Sequence, residues 1–239
     1  MPEIVDLALE FDRFRGRRKV FIVGLTGAVA VGKSTLAAAL RETLLAAARP
    51  LTNVEIVSTD GFLRSNANLE AAGLALRKGF PESYDIGALR DALTRVRAGP
   101  TAFPGYSHHT YDVDPALART LDRPAALIIE GLCLTRATPV DALIYLDADE
   151  ADIETWFTDR LIGLWRAGLD DPASFYARFA HLDDAGVRQF AAEVWAGINR
   201  PNLHDHILPV RETADIIVRK AADHAISEIR LASPHTLIV

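Results

Sequence analysis

An α/β three-layer sandwich, with a mostly parallel central sheet and a helical insertion late in the chain, is the fold class this sequence predicts, and three observations predict it. Strand-like stretches at 19–25, 53–58, 125–130, 141–146 and 215–218 alternate with helix-like ones. Each is continuously apolar and not alternating, as expected of strands covered on both faces by helices. Between the first strand and the first long helix lies Gly27-Ala28-Val29-Ala30-Val31-Gly32-Lys33-Ser34, which fits G-x-x-x-x-G-K-[ST] in the strand-loop-helix setting that this pattern requires. With 239 residues, 49% of them hydrophobic, the chain can bury a sizeable core, and residues 1–239 are read as one domain.

Taken in order, Arg15-Gly16-Arg17-Arg18-Lys19 precedes the apolar run 20–31 and imitates a secretory signal. That reading is rejected, because the phosphate-loop pattern claims the same residues and cleavage would destroy it. In the loop, Gly27 and Gly32 let successive backbone N–H groups of residues 27–35 converge on phosphates, Lys33 adds a point charge, and Ser34 is a candidate Mg²⁺ ligand next to Thr35. The pattern predicts a grip on a nucleoside triphosphate. The helix that follows carries Leu36, Leu40 and Leu44 on one stripe, a core face, and Pro50 marks its end.

The second strand runs into Ser58-Thr59-Asp60-Gly61-Phe62. Carboxyl ends of strands line the crevice of open α/β sheets, so Asp60 is the candidate base for an attacking hydroxyl; an Asx turn is the bland alternative. Short helices at 68–72 and 86–96 flank a loop around residues 79–85. Tyr106-Ser107-His108-His109-Thr110-Tyr111-Asp112 reads as a hairpin or extended loop. On a strand, His108 and His109 would face opposite ways, and His204 and His206 lack partners at zinc-like spacing, so no zinc is assigned. His108 is a candidate contact to an acceptor or to phosphate, against a merely structural loop histidine.

Glu130 closes the apolar run 127–129 ahead of Gly131 and is the candidate for holding the water shell of Mg²⁺, against a plain strand-ending acid. Helices at 150–166 and 183–198 carry Trp156, Trp165 and Trp195 and are joined by Phe175-Tyr176-Ala177-Arg178-Phe179, an insertion over about 150–205 that is read as a lid. Arg160 and Arg166 stand six residues apart and cannot share one face cleanly, so only one need approach a transferring phosphoryl group; a solvated surface arginine is the alternative for each.

A net charge of −6 with no basic cluster beyond 15–19 argues against a nucleic-acid surface. No run reaches the length of about 20 residues that spans a bilayer. The single cysteine, Cys133, excludes an intrachain disulfide framework and fits a cytoplasmic location. The expected partner is a small-molecule acceptor, with the oligomeric state open and a homodimer among the options.

On these residues the chain resembles the prokaryotic type I pantothenate kinases, phosphate-loop kinases related to uridine kinases and phosphoribulokinases, from about Lys19 to Ala232. The matching stretches are residues 27–35, Thr59-Asp60-Gly61-Phe62, residues 77–85, Tyr106-Ser107-His108 with Tyr111-Asp112, Glu130-Gly131-Leu132, Ile198-Asn199 with Pro201-Asn202-Leu203, and Ile207-Leu208-Pro209. The resemblance implies ATP- and Mg²⁺-dependent phosphorylation of a primary hydroxyl, giving 4′-phosphopantothenate for coenzyme A biosynthesis. It implies Asp60 as base, Lys33 and Arg160 on the phosphates, Tyr106, His108 and Asn202 facing pantothenate, and His224 near adenine. Phe157 stands where the family places a tyrosine that hydrogen-bonds pantothenate, and the aromatic acceptor pocket is altered at Leu164, Phe175 and Tyr176. Ala38 replaces a family arginine that meets the phosphates of inhibitory coenzyme A, the stretch from Leu132 to Asp141 is shorter, and the leader ahead of the first strand is short. These departures keep a sugar or nucleoside kinase as the alternative. A nucleotide-dependent switch without catalysis is a third reading, against which Asp60, Arg160 and Asn202 argue, since a switch needs no acceptor pocket.

Overall fold

The structure is a computed structural model that describes residues 7–8, 16, 18–47 and 51–232. Arg15, Arg17 and Pro50, read above from the sequence, lie outside them. In chain order the elements are β1 (Phe21–Gly27), α1 (Lys33–Ala46), β2 (Val54–Ser58), α2 (Asn66–Ala71), α3 (Ile86–Arg95), β3 (Thr101–Ser107), β4 (Asp112–Leu121), β5 (Ala126–Glu130), β6 (Ala142–Asp147), α4 (Glu150–Gly168), α5 (Asp184–Val194), β7 (Ile216–Lys220) and β8 (Ile226–Leu231). Among the described residues, six strands form one sheet in the order β2-β5-β1-β6-β7-β8. The first five are parallel, and β8 adds antiparallel to β7.

The register brings the functional ends together. Leu25 of β1 and Ser58 of β2 both pair with Glu130 of β5, and Gly27 pairs with Leu146 of β6. The phosphate loop, Asp60 and Glu130 therefore leave the sheet on one edge, the crevice side of an open α/β sheet. Every residue of β1, β5 and β6 is buried, which is why these strands read as unbroken apolar runs. Leu36, Leu40 and Leu44 of α1 are buried as the stripe predicts.

Three strands, β3, β4 and β8, escape the apolar signal. β4 is largely exposed and pairs only with β3 in a separate two-stranded sheet, and β8 is a half-exposed edge. The β3–β4 ladder shifts register between Phe103 and Gly105, where Pro104 has no N–H to contribute. The predicted helix 183–198 is also revised: α5 ends at Val194, and the chain continues as a π turn at Trp195–Asn199, three α residues at Arg200–Asn202 and a second π turn at Leu203–Ile207. Pro201 breaks the regular hydrogen-bond ladder there. The insertion has its own small core, in which Leu161, Ile162 and Trp165 of α4 meet Val187 and Ala191 of α5, and Trp165 Nε1 donates to Phe179 O at 3.0 Å.

Candidate active site

The phosphate loop is held by backbone geometry that only glycine accommodates. Gly27 has φ of 146° and a Cβ there would lie 2.4 Å from Leu146 O, while Gly32 has φ of 97° and a Cβ would meet Lys220 Nζ at 2.8 Å. Gly32 is also the N-cap of α1, so the helix points its N-terminal N–H groups and positive end at the loop. Lys33 is buried, and its Nζ donates to Ala28 O at 2.8 Å and Gly27 O at 3.2 Å. Burial lowers its pKa, and the carboxylates of Glu130 and Asp60 work against that shift.

Ser34 Oγ donates to Glu130 Oε1 at 3.0 Å. Glu130 is buried, and desolvation raises its pKa against the pull of Lys33. A desolvated carboxylate beside a hydroxyl is a pair of hard oxygens that suits a hard divalent cation. Among the described residues, no three His, Cys, Asp or Glu side chains are grouped to hold a metal ion by themselves; His204 pairs with Glu150 at 2.7 Å, and His206 lies edge-on to Phe80.

Asp60 lies in a short 3₁₀ turn, Thr59–Phe62, directly after β2. The Asx-turn alternative fails here, because the side chain that caps the turn is that of Ser58, accepting from Asp60 N at 3.2 Å. The Asp60 carboxylate is left to act on its surroundings: its charge is felt by Lys33, Lys78, Tyr84, Tyr106, Tyr111, Glu130 and Cys133. It opens onto a pocket of about 150 Å³ whose wall includes Ser58, Tyr106, His108 and Arg119. Tyr106 meets His108 edge-on at 5.2 Å and Tyr111 at 6.1 Å. Burial pushes the Tyr106 phenol up and the Tyr111 phenol up to about 12, so both stay protonated donors at neutral pH. His108 and His109 fall in the exposed turn between β3 and β4, not on a strand.

Lys78 is the residue that the sequence reading missed. Its Nζ donates to Asn66 Oδ1 at 2.6 Å and to Tyr111 O, and lies 4.2 Å above the Tyr111 ring and 5.2 Å from that of Tyr106. Burial lowers its pKa to about 8, opposed by Asp112 and Asp60. Its only sequence signal is its place in the matched stretch 77–85.

The insertion contributes no residue to the lining of that pocket. Asn202 is buried and donates through Nδ2 to Gly79 O at 2.9 Å, leaving Oδ1 without a partner among the described residues. Phe157 is half-buried and tilts against Trp195 at 6.1 Å between ring centroids. Tyr176 is half-buried beside Phe175, whose ring packs on Tyr111 at 4.5 Å and whose N–H donates to His109 O at 2.8 Å. The hairpin tip thus docks on the insertion, with His109 facing Asp171 at 3.5 Å. The two arginines separate cleanly. Arg166 pairs with Asp184 at 2.6 Å and ties α4 to α5, whereas Arg160 makes no hydrogen bond or ion pair among the described residues, and its charge reaches Lys33, Tyr111 and Tyr176. His224 sits in the β7–β8 turn with φ of 67° and stacks on Trp156 at 4.3 Å.

A phosphate loop at the end of β1, a carboxylate across the crevice at the end of β2 and a polar pocket beside it define a P-loop kinase. A model of the phosphoribulokinase/uridine kinase family matches residues 22–156, and the chain belongs to that family. Among its relatives are the pantothenate kinase of Afipia carboxidovorans, 41% identical over 92% of this chain and 74% of the relative, and that of Sorangium cellulosum, 42% identical over 92% and 76%. Among solved structures, a protein of Silicibacter sp. TM1040 named as a fructose transport system kinase shares the fold, with a TM-score of 0.68, 24% identity and coverage of 88% of this chain and 94% of the other. As a kinase of this family the chain uses ATP and acts on a small molecule. No helix among the described residues is long and apolar enough to cross a membrane.

Proposed function

We propose that this chain transfers the γ-phosphoryl group of ATP to the primary hydroxyl of pantothenate, forming 4′-phosphopantothenate. The observation that carries the reaction is the Asp60 carboxylate, which lines the Tyr106–His108 pocket and whose charge also reaches Lys33 of the phosphate loop. The pantothenate kinases that align with nine-tenths of the chain support the choice of acceptor.

Asp60 accepts the proton of the acceptor hydroxyl as its oxygen attacks the γ-phosphorus; the bond from that phosphorus to the β–γ bridging oxygen breaks, and ADP leaves. Lys33 turns from the loop carbonyls to the phosphates, and Arg160, which has no hydrogen bond or ion pair among the described residues, covers the charge that builds on the transferring group. Lys78 adds a second cation beside Asp60. Tyr106, His108, Tyr176 and Asn202 hold the polar groups of the acceptor, Phe157 packs against its chain, and the insertion acts as a lid that excludes water. His224 faces the adenine. Ser34, with Glu130 acting through the water shell, fits Mg²⁺, which when bound neutralises the β- and γ-phosphates.

The test is ADP release with ATP and Mg²⁺ against a panel of pantothenate, sugars and nucleosides. Release that depends on pantothenate is the expected result. Dependence on a sugar or nucleoside instead replaces the acceptor, and turnover without any acceptor overturns the kinase reading.

A further inference from the structure

Lys220 ends β7, next but one to β1 in the sheet, and is buried although nothing in the reaction requires it. Its Nζ donates to Val31 O of the phosphate loop at 3.0 Å, lies 3.3 Å from His224 Nδ1, and sits 5.0 Å from the centre of the Trp156 ring. It also fills the space that Gly32 leaves open, since a Cβ there would be 2.8 Å away. Trp156 is fixed to the same turn by Nε1, which donates to Ala222 O at 3.3 Å, and the Trp156 and His224 rings stack 29° from parallel. The turn itself is closed by Ala221 N to Ala225 O and His224 N to Ala221 O, both 2.9 Å.

We propose that Lys220 is a positioning residue of the nucleotide site, whose ammonium joins the phosphate loop at Val31 to the Trp156–His224 stack and so holds the base-side wall and the phosphate cradle in one relative geometry. An ammonium carries donors only, so the contact to His224 makes Nδ1 the acceptor and leaves the ring proton on Nε2. His224 thereby presents a flat ring, one face on Trp156, with its residue exposed to solvent and an N–H at the far edge. That surface suits a purine, which stacks well and offers ring-nitrogen acceptors. Phosphates alone would need only the loop. This inference rests on the reading of the loop as a nucleotide site.

Lys220→Met keeps most of the stem and removes the donors. Calorimetry with a non-hydrolysable ATP analogue and with tripolyphosphate separates the two ends of the ligand. The analogue weakens by about tenfold, the scale of one lost charge-assisted hydrogen bond, while tripolyphosphate weakens markedly less. Combining Lys220→Met with His224→Ala costs less than the sum of the two, because both remove the same wall. In ¹⁵N spectra of the wild type, the His224 ring, identified by the signals missing in His224→Gln, is the Nε2–H tautomer, and in Lys220→Met it becomes a mixture.

An Nδ1–H ring in the wild type overturns the proposal without recourse to any variant. So do equal losses for analogue and tripolyphosphate in folded Lys220→Met, or no loss at all. If the wild type binds neither compound, the kinase reading fails and this inference falls with it, a result distinct from the others.

Discussion

Asp60→Asn tests the assignment of the base most directly. The substitution keeps the shape, and the local fold does not depend on the carboxylate: the turn is capped by Ser58 Oγ on Asp60 N, and Leu63 N donates to the backbone oxygen of Asp60 at 3.1 Å. What disappears is the proton acceptor. General-base catalysis contributes about 10²–10⁴ in rate, which at about 1.36 kcal/mol per decade is roughly 3–5 kcal/mol of the barrier. Stability should change little, because the variant removes both the repulsion between Asp60 and Glu130 and the attraction of Asp60 to Lys33 and Lys78. A second effect has a definite sign. Asp60 supports the charge on Lys33 and Lys78, so both pKa values drop in the variant. The assay is kcat at saturating ATP and acceptor, with nucleotide binding by calorimetry and the unfolding temperature as controls. The expectation is a kcat at least 100-fold lower, with nucleotide binding and fold retained. A kcat within a few-fold of wild type would place the base elsewhere.

Lys78 carries a pH prediction, since its pKa near 8 means that the ammonium is lost as pH rises through that value; kcat/KM for the acceptor should decline above about pH 8, and Lys78→Met should flatten that limb. Stability moves the other way: the unfolded chain holds this proton up to its ordinary pKa of 10.5, so the contribution of Lys78 rises with pH between about 8 and 10.5. A melting series in wild type and Lys78→Met measures it. Lys33→Ala should abolish turnover in a folded protein, as removing a desolvated cation leaves the sheet intact; near-normal activity would refute the phosphate-loop assignment. Phe157→Tyr should raise kcat/KM for pantothenate if the ring faces that acceptor, because a hydrogen bond to a buried polar group is worth about 1–3 kcal/mol; no gain points to another acceptor. Ala38 is exposed on α1, and Ala38→Arg should strengthen inhibition by coenzyme A in a titration at fixed ATP, while an unchanged inhibition curve would show that position 38 does not meet it.

By itself the sequence determined the features whose signal is local. Continuous apolar runs announced the buried strands, the 27–34 pattern announced the loop, and acids at the ends of two such runs announced Asp60 and Glu130, because burial and backbone geometry restrict residue type at each position. Helix spacing gave the stripe of Leu36, Leu40 and Leu44. Only the tertiary structure decided which polar residues meet. Lys220 and Val31 are 189 residues apart, and Lys78 and Tyr111 are 33 apart. Arg160 and Arg166 look alike in sequence, yet Arg166 pairs with Asp184 while Arg160 has no ion pair among the described residues. Half-exposed strands such as β4 and β8 left no apolar mark either. For these side chains the physical reason is shared: a lone charged residue has no periodicity to betray its partner, and the sheet order β2-β5-β1-β6-β7-β8 brings partners together only when long-range strand pairing is complete.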